Sequence, residues 1–194
     1  GGAEAVDVGS QTAWFRGPDP NYNYFGGAVA GTGYTQPTGC ALTWEGQEEP
    51  GYPVLWGNPS GVDNHNERDG FPVGPFYGLD RTKRYWEVAA EGDIGLLIDE
   101  DQKLVAVGSD CYRTGIYQGA RALNENYSFT KCRVMTGCAL ALDTDGKLHA
   151  WGGAAIEWAI DLPGFKNVNN DDWVSEQTWT DIALASRGPG FRAP

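Results

Sequence analysis

Two histidines, four cysteines and a few carboxylate clusters are the residues in this 194-residue chain whose type and spacing could support chemistry. The densest cluster is Asp63-Asn-His-Asn-Glu-Arg-Asp69. A histidine flanked by carboxylates there could serve as a general base. No nucleophile or second motif accompanies His65, so the cluster reads as a polar binding loop. His149 alternates with Leu148 in an extended segment and reads as a packed or surface side chain. Asp143-x-Asp145-Gly146 opens like a calcium loop but lacks the closing Glu, so a hairpin turn is the better reading. Asn169-Asn-Asp-Asp172 is a weaker version of the same pattern. Cys132-x5-Cys138 has no zinc spacing, and Cys40 and Cys111 lie elsewhere. The thiols read as small buried hydrophobes, with Cys111–Cys132 the first pair to test for a disulfide. No Gly-rich phosphate loop, Gly-x-Ser-x-Gly elbow or zinc helix occurs. The expectation is no catalytic residue, no metal site and no cofactor.

The elements that must position any site come from a repeat. Asp93–Gly108 aligns without a gap on Gly137–Gly152, sharing Leu96/Leu140, Asp99/Asp143, Asp101/Asp145, Lys103/Lys147, Leu104/Leu148, Ala106/Ala150 and Gly108/Gly152. Self-similarity at this period marks stacked or ring-like β-units. Ala139-Leu-Ala-Leu142 suits a strand buried on both faces. Asp143-Thr-Asp-Gly146 supplies turn residues, and Lys147-Leu-His-Ala-Trp151 alternates as a second strand, giving a hairpin. Gly39-Cys-Ala-Leu42 matches Gly137-Cys-Ala-Leu140, and Val54-Leu-Trp-Gly57 matches His149-Ala-Trp-Gly152, which makes a third copy and aligns Cys40 with Cys138.

An aromatic-led strand precedes each copy, at Trp86-Glu-Val-Ala-Ala90 and Phe129-Thr-Lys-Cys-Arg-Val134. Trp179-Thr-Asp-Ile-Ala-Leu-Ala185 reads as the opening strand of a further unit. Gln11-Thr-Ala-Trp-Phe-Arg-Gly17 echoes the closing Trp-Gly strand, so the last unit is expected to be split between the termini. Edge strands closed in this way leave no exposed sheet edge. The fold class is therefore all-β: propeller-like repeats of antiparallel strands, about four units, with long irregular loops. One domain spans 1–194, with units at roughly 18–57, 78–108, 127–152, and 173–194 plus 1–17. The linkers 58–77, 111–126 and 153–172 are expected to carry binding. Ala154–Ile160 is the one plausible short helix.

Composition agrees with many short β-elements: 28 Gly, 11 Pro, 8 Trp, 9 Tyr and 7 Phe. The net charge of -12 repels a phosphate backbone, and no basic stripe offsets it, so nucleic-acid binding is not expected. No apolar run is long enough to span a membrane. Gly1-Gly2 in place of Met reads as a processed terminus or a fragment.

With those residues laid out, the pattern resembles the regulator of chromosome condensation family of β-propeller repeats. The likeness rests on Phe129 and Gly137–Gly152, on Trp86–Gly108 with Gln102 and Val107 as departures, and more loosely on Gly39–Gly57. It covers about half the chain, and implies four-stranded blades. The family usually has seven, while this chain has about four. Family members serve as GTPase exchange factors, chromatin binders, secreted β-lactamase inhibitors and repeats in bacterial and phage surface proteins.

The functional expectation is a non-enzymatic binding or structural module of an extracellular or virion-surface assembly, contacting a protein or glycan partner. A homo-oligomer or larger assembly is compatible with it. The expected contact residues are Asn58, Asp63, His65, Arg68, Phe76, Tyr77, Tyr112, Tyr117, Trp158 and Trp173, since aromatics anchor interfaces. The alternatives are a secreted carbohydrate-active enzyme, with Asp63, Glu67 and Asp69 in an acidic cleft, and an inhibitor or exchange-type propeller.

Overall fold

The computed structural model describes residues 23–30, 38–44, 49–57, 74–135, 137–153, 165–167 and 173–182. Three antiparallel sheets account for most of them. The first contains β1 (Tyr24–Ala30), β2 (Thr38–Thr43) and β3 (Pro53–Gly57) in that order. The second contains β4 (Tyr85–Glu91), β5 (Ile94–Asp99) and β6 (Leu104–Val107). The third begins with β7 (Phe129–Met135), β8 (Cys138–Asp143) and β9 (Lys147–Trp151). Beyond β9 it adds β11 (Trp173–Thr178) and then β10 (Phe165–Asn167). Each sheet is open. The fold is all-β, and one helix, α1 (Ile116–Asn124), stands among the described residues.

The aligned hairpins pair in the same register. Leu96 faces Ala106 as Leu140 faces Ala150, and Ile98 faces Leu104 as Leu142 faces Leu148. The shared Asp-x-Asp-x-Lys has a common cause. Asp99 Oδ1 accepts the N–H groups of Asp101 (3.0 Å) and Lys103 (2.8 Å). Asp143 Oδ1 accepts those of Asp145 (2.9 Å) and Lys147 (2.8 Å). A carboxylate satisfying two turn donors fixes the hairpin.

Two readings of the repeat need correction. Gly39 faces Trp56, whereas Ala139 faces Trp151, so Cys40 occupies the place of Leu140 and not that of Cys138. Likewise Tyr85, and not Trp86, takes the place of Phe129: Tyr85 faces Asp99 as Phe129 faces Asp143. The cause of the first mismatch is the period of a strand. Sliding an apolar run by two residues leaves every side chain on its original face, so the sequence match survives the shift.

Successive sheets meet through one recurring junction. The N–H that opens the next aromatic-led strand donates to a hairpin-turn carbonyl: Tyr85 to Gly51 (2.8 Å) and Phe129 to Gln102 (2.8 Å). Trp179 makes the same bond to Gly146 (2.8 Å), but the strand expected to begin there is absent over Trp179–Ile182, and its remainder lies outside the described residues. Behind these junctions β1 packs on β4, and β4 on β7. The middle sheet is covered on both faces. Leu96, Ile98, Leu104 and Ala106 face the third sheet and α1, while Val88, Leu97 and Val107 face Cys40 and Leu42 of the first.

Helix α1 replaces the expected loop over part of 111–126. Ile116, Ala120 and Leu123 are buried on one side of it, the 3–4 residue spacing of a half-buried helix. Asn124 ties the helix to the edge of β6. Its Oδ1 accepts the Leu104 N–H (2.8 Å) and its Nδ2 donates to the Leu104 carbonyl (2.9 Å). In the third sheet Ser175 Oγ of β11 accepts the N–H of the matching Leu148 (2.9 Å). A helix therefore stands at β6 where a strand stands at β9. The helix expected at 154–160 and the composite unit built on residues 1–17 lie outside the described residues.

Candidate functional site

The segment from Cys111 through α1 builds one side of an open recess on the described surface. Cys111 is buried and anchors the segment, while Tyr112 next to it is 58% exposed. Gly115, with φ +77°, turns the chain into α1 without a side-chain cap. Gly119 lies against the Trp151 ring, which a Cβ there would strike. The Trp151 indole N–H donates to the Ile116 carbonyl (2.9 Å). Glycine thus lets the helix approach the end of β9, and Trp151, fully buried, locks it there.

Between the helix and the end of β9 lies a recess of about 640 Å³. Tyr112, Arg113, Thr114 and Gln118 form its rim, and Gly119 and Trp151 part of its floor. Tyr117 stacks beside Tyr112 at 4.4 Å between ring centroids, tilted by 39°. The Arg121 guanidinium sits 5.8 Å from the Tyr117 ring centre. The Tyr77 carbonyl accepts the Gly108 N–H (2.9 Å), which fixes that linker against the end of β6. Partial desolvation, then Tyr117, pushes the Tyr112 phenol above its usual value. Tyr112 and Tyr117, five residues apart, thus form one aromatic pair at the recess.

The remaining expected contact residues fall elsewhere. Phe76, at 2% exposure, belongs to the core between the first two sheets, so its ring is not available to a partner. Its neighbour Tyr77 takes the outward place. Trp173 is half-buried in β11 opposite Ala150, with its indole N–H buried and unpartnered. Asn58, Asp63, His65, Arg68 and Trp158 lie outside the described residues, as do Glu67, Asp69 and the Asn169–Asp172 run. Arg113, Gln118 and Thr114 were not singled out by sequence. The signal was there in the helical spacing of Ile116, Ala120 and Leu123, which puts the intervening Gln118 on the outer side.

His149 is fully buried and Asp143 nearly so, with His149 Nε2 2.8 Å from Asp143 Oδ2. Tyr127 and Phe129 pack on the imidazole at 4.4 and 5.5 Å between centroids. Both Asp143 oxygens are thereby engaged, one in its turn and one at His149. All four cysteines are free and buried. Burial pushes Cys40 up to about 12 and Cys111 and Cys138 up to about 11, with Cys132 raised as well. Thiols in this state are poor nucleophiles.

A second recess, of about 440 Å³, opens where β1, β4 and β7 meet. Glu87 spans the junction there, accepting from the Arg133 guanidinium and from the Cys132 N–H (3.3 Å). No helix among the described residues is long and apolar enough to cross a membrane.

No family model matches the chain, and no curated protein does. Among solved structures, that of human WBSCR16 is similar at a TM-score of 0.39 and 12% identity. The match covers 84% of this chain and 41% of that one, so the chain spans less than half the length of that protein.

Proposed function

We propose that this chain is a non-catalytic recognition module, a propeller-like repeat frame presenting its inter-unit segments to a protein or glycan on the outside of a cell or virion. The observation that carries the reading is the exposed Tyr112, stacked against Tyr117, beside an open recess. Large rigid aromatics at a surface supply contact area at low entropic cost. The frame fits this use, because side chains on segments pinned between packed sheets are held in place before a partner arrives. The recurring junction through Tyr85, Phe129 and Trp179 is what a radial succession of blades would need. It also suits the likeness to the chromosome-condensation repeat. A role as part of a larger assembly uses the same surface.

The test is a Tyr112→Ala/Tyr117→Ala double variant probed on printed protein and glycan arrays, beside the unaltered chain. The expected result is saturable binding by the unaltered chain and its loss in the variant, with an unchanged circular dichroism spectrum. Binding that ignores both substitutions, or turnover of a polysaccharide by the chain, overturns the reading.

A further inference from the structure

We infer that the recess between α1 and the end of β9 binds a saccharide carrying a single carboxylate, an inference that rests on the recognition role above and names its ligand class. Size comes first. A hollow of about 640 Å³ falls in the range of pockets that enclose small ligands.

The chemistry of the rim decides next. A pyranose offers an apolar C–H face and a polar edge of hydroxyls. Tyr112, 58% exposed and braced by Tyr117, gives that face a platform. Gln118 at the rim can both donate to and accept from hydroxyls. Thr114 turns its hydroxyl proton back onto the Asp110 carbonyl (3.0 Å), which leaves its oxygen as an acceptor. Gly119 keeps part of the floor low, and the Trp151 indole N–H beneath it is already spent on Ile116.

Charge decides the substituent. Arg113 is the one charged side chain among the described residues that line the recess. It uses Nη2 on Asp110 (2.8 Å), and its side chain is 78% exposed. A guanidinium has five donors, so several remain to grip a ligand carboxylate. The chain as a whole carries -12. That field opposes a polyanion such as a nucleic acid or a polyuronate, while a single ligand carboxylate can share the Arg113 guanidinium with Asp110 through the donors the ion pair leaves free. The described lining holds no carboxylate and no imidazole, so it offers no acid–base pair for cleaving the ligand.

Matched probes test the inference: sialyllactose against lactose, and galacturonic acid against galactose, each titrated into the full chain by calorimetry. The expected result is saturable binding with the acidic member at least about tenfold tighter and the preference weakening as salt is raised. Tyr112→Ala should weaken binding about tenfold, Tyr112→Phe should retain it, and Arg113→Gln should remove the acidic preference alone. No binding by any probe at millimolar concentration overturns the inference, as do equal affinities within each pair or indifference to Tyr112→Ala. If the saccharides fail while tyrosine-dependent binding to a printed protein persists, this ligand class falls and the recognition role stands.

Discussion

Asp99 and Asp143 close the same turn, but only Asp143 also faces a buried imidazole. The two substitutions should therefore differ. Asp99→Ala removes an acceptor from two turn N–H groups and should cost about 1–2 kcal/mol. Asp143→Ala also strands a ring nitrogen of His149 in the core and should cost about 1–3 kcal/mol more than Asp99→Ala. Urea denaturation of both variants checks the order, and equal losses would show that the His149 contact contributes nothing. The thiols make a second prediction. Their folded pKa values are raised to about 11–12 by burial, while an unfolded thiol titrates near its ordinary value. Below about pH 9 both states are protonated and stability is unaffected. Above it the unfolded chain loses protons first, so stability falls as pH rises towards 11–12. Cys40→Ala should flatten that fall in a series of denaturation midpoints. Sequence read these thiols as small buried hydrophobes, and all four are buried, yet it aligned Cys40 with Cys138, because a two-residue slip leaves the apolar face unchanged.

At the scale of elements, the edge of β6 shows how one position can be filled in two ways. Asn124 of α1 meets both backbone groups of Leu104, and Ser175 of β11 meets the N–H of Leu148. Asn124→Ala should cost about 1–3 kcal/mol and speed hydrogen exchange at the Leu104 amide, leaving Leu148 protected. An unchanged Leu104 amide would mean the helix is held by its apolar side alone. The shared lysines join neighbouring elements as well. Lys103 Nζ donates to the Asn124 and Tyr127 carbonyls (3.1 and 2.7 Å), and Lys147 Nζ to the Glu176 carbonyl (2.6 Å). Identity at these positions was legible in the sequence, but its purpose was not, since the acceptors lie 21 to 29 residues away. Residues 111–126 were read as a linker between repeat copies; Gly115 and Gly119 give the segment a low local helix propensity. Packing on Trp151 supplies what local propensity lacks.

For the whole molecule, the middle sheet is the shared wall of two cores. Leu96 points to one and Leu97 to the other, and neither has any exposure. Leu96→Ala and Leu97→Ala should each cost about 2–5 kcal/mol. Because the sheet couples both cores, each variant should still unfold in a single transition seen alike by tryptophan fluorescence and circular dichroism. Two separated transitions would mean that the sheets fold as independent units.

Composition, alternation and turn chemistry determined that this chain forms antiparallel hairpins, where they turn and which strands lie buried on both faces. Those properties depend on neighbours within a few residues, and the chain states them twice in Asp93–Gly108 and Gly137–Gly152. Tertiary structure alone decided that Phe76 is core and Tyr77 is surface, that Tyr112 and Tyr117 pair beside the recess, and that a helix closes the edge of β6. Whether a side chain is covered depends on which distant segment packs over it, and that partner is chosen by the assembled sheets.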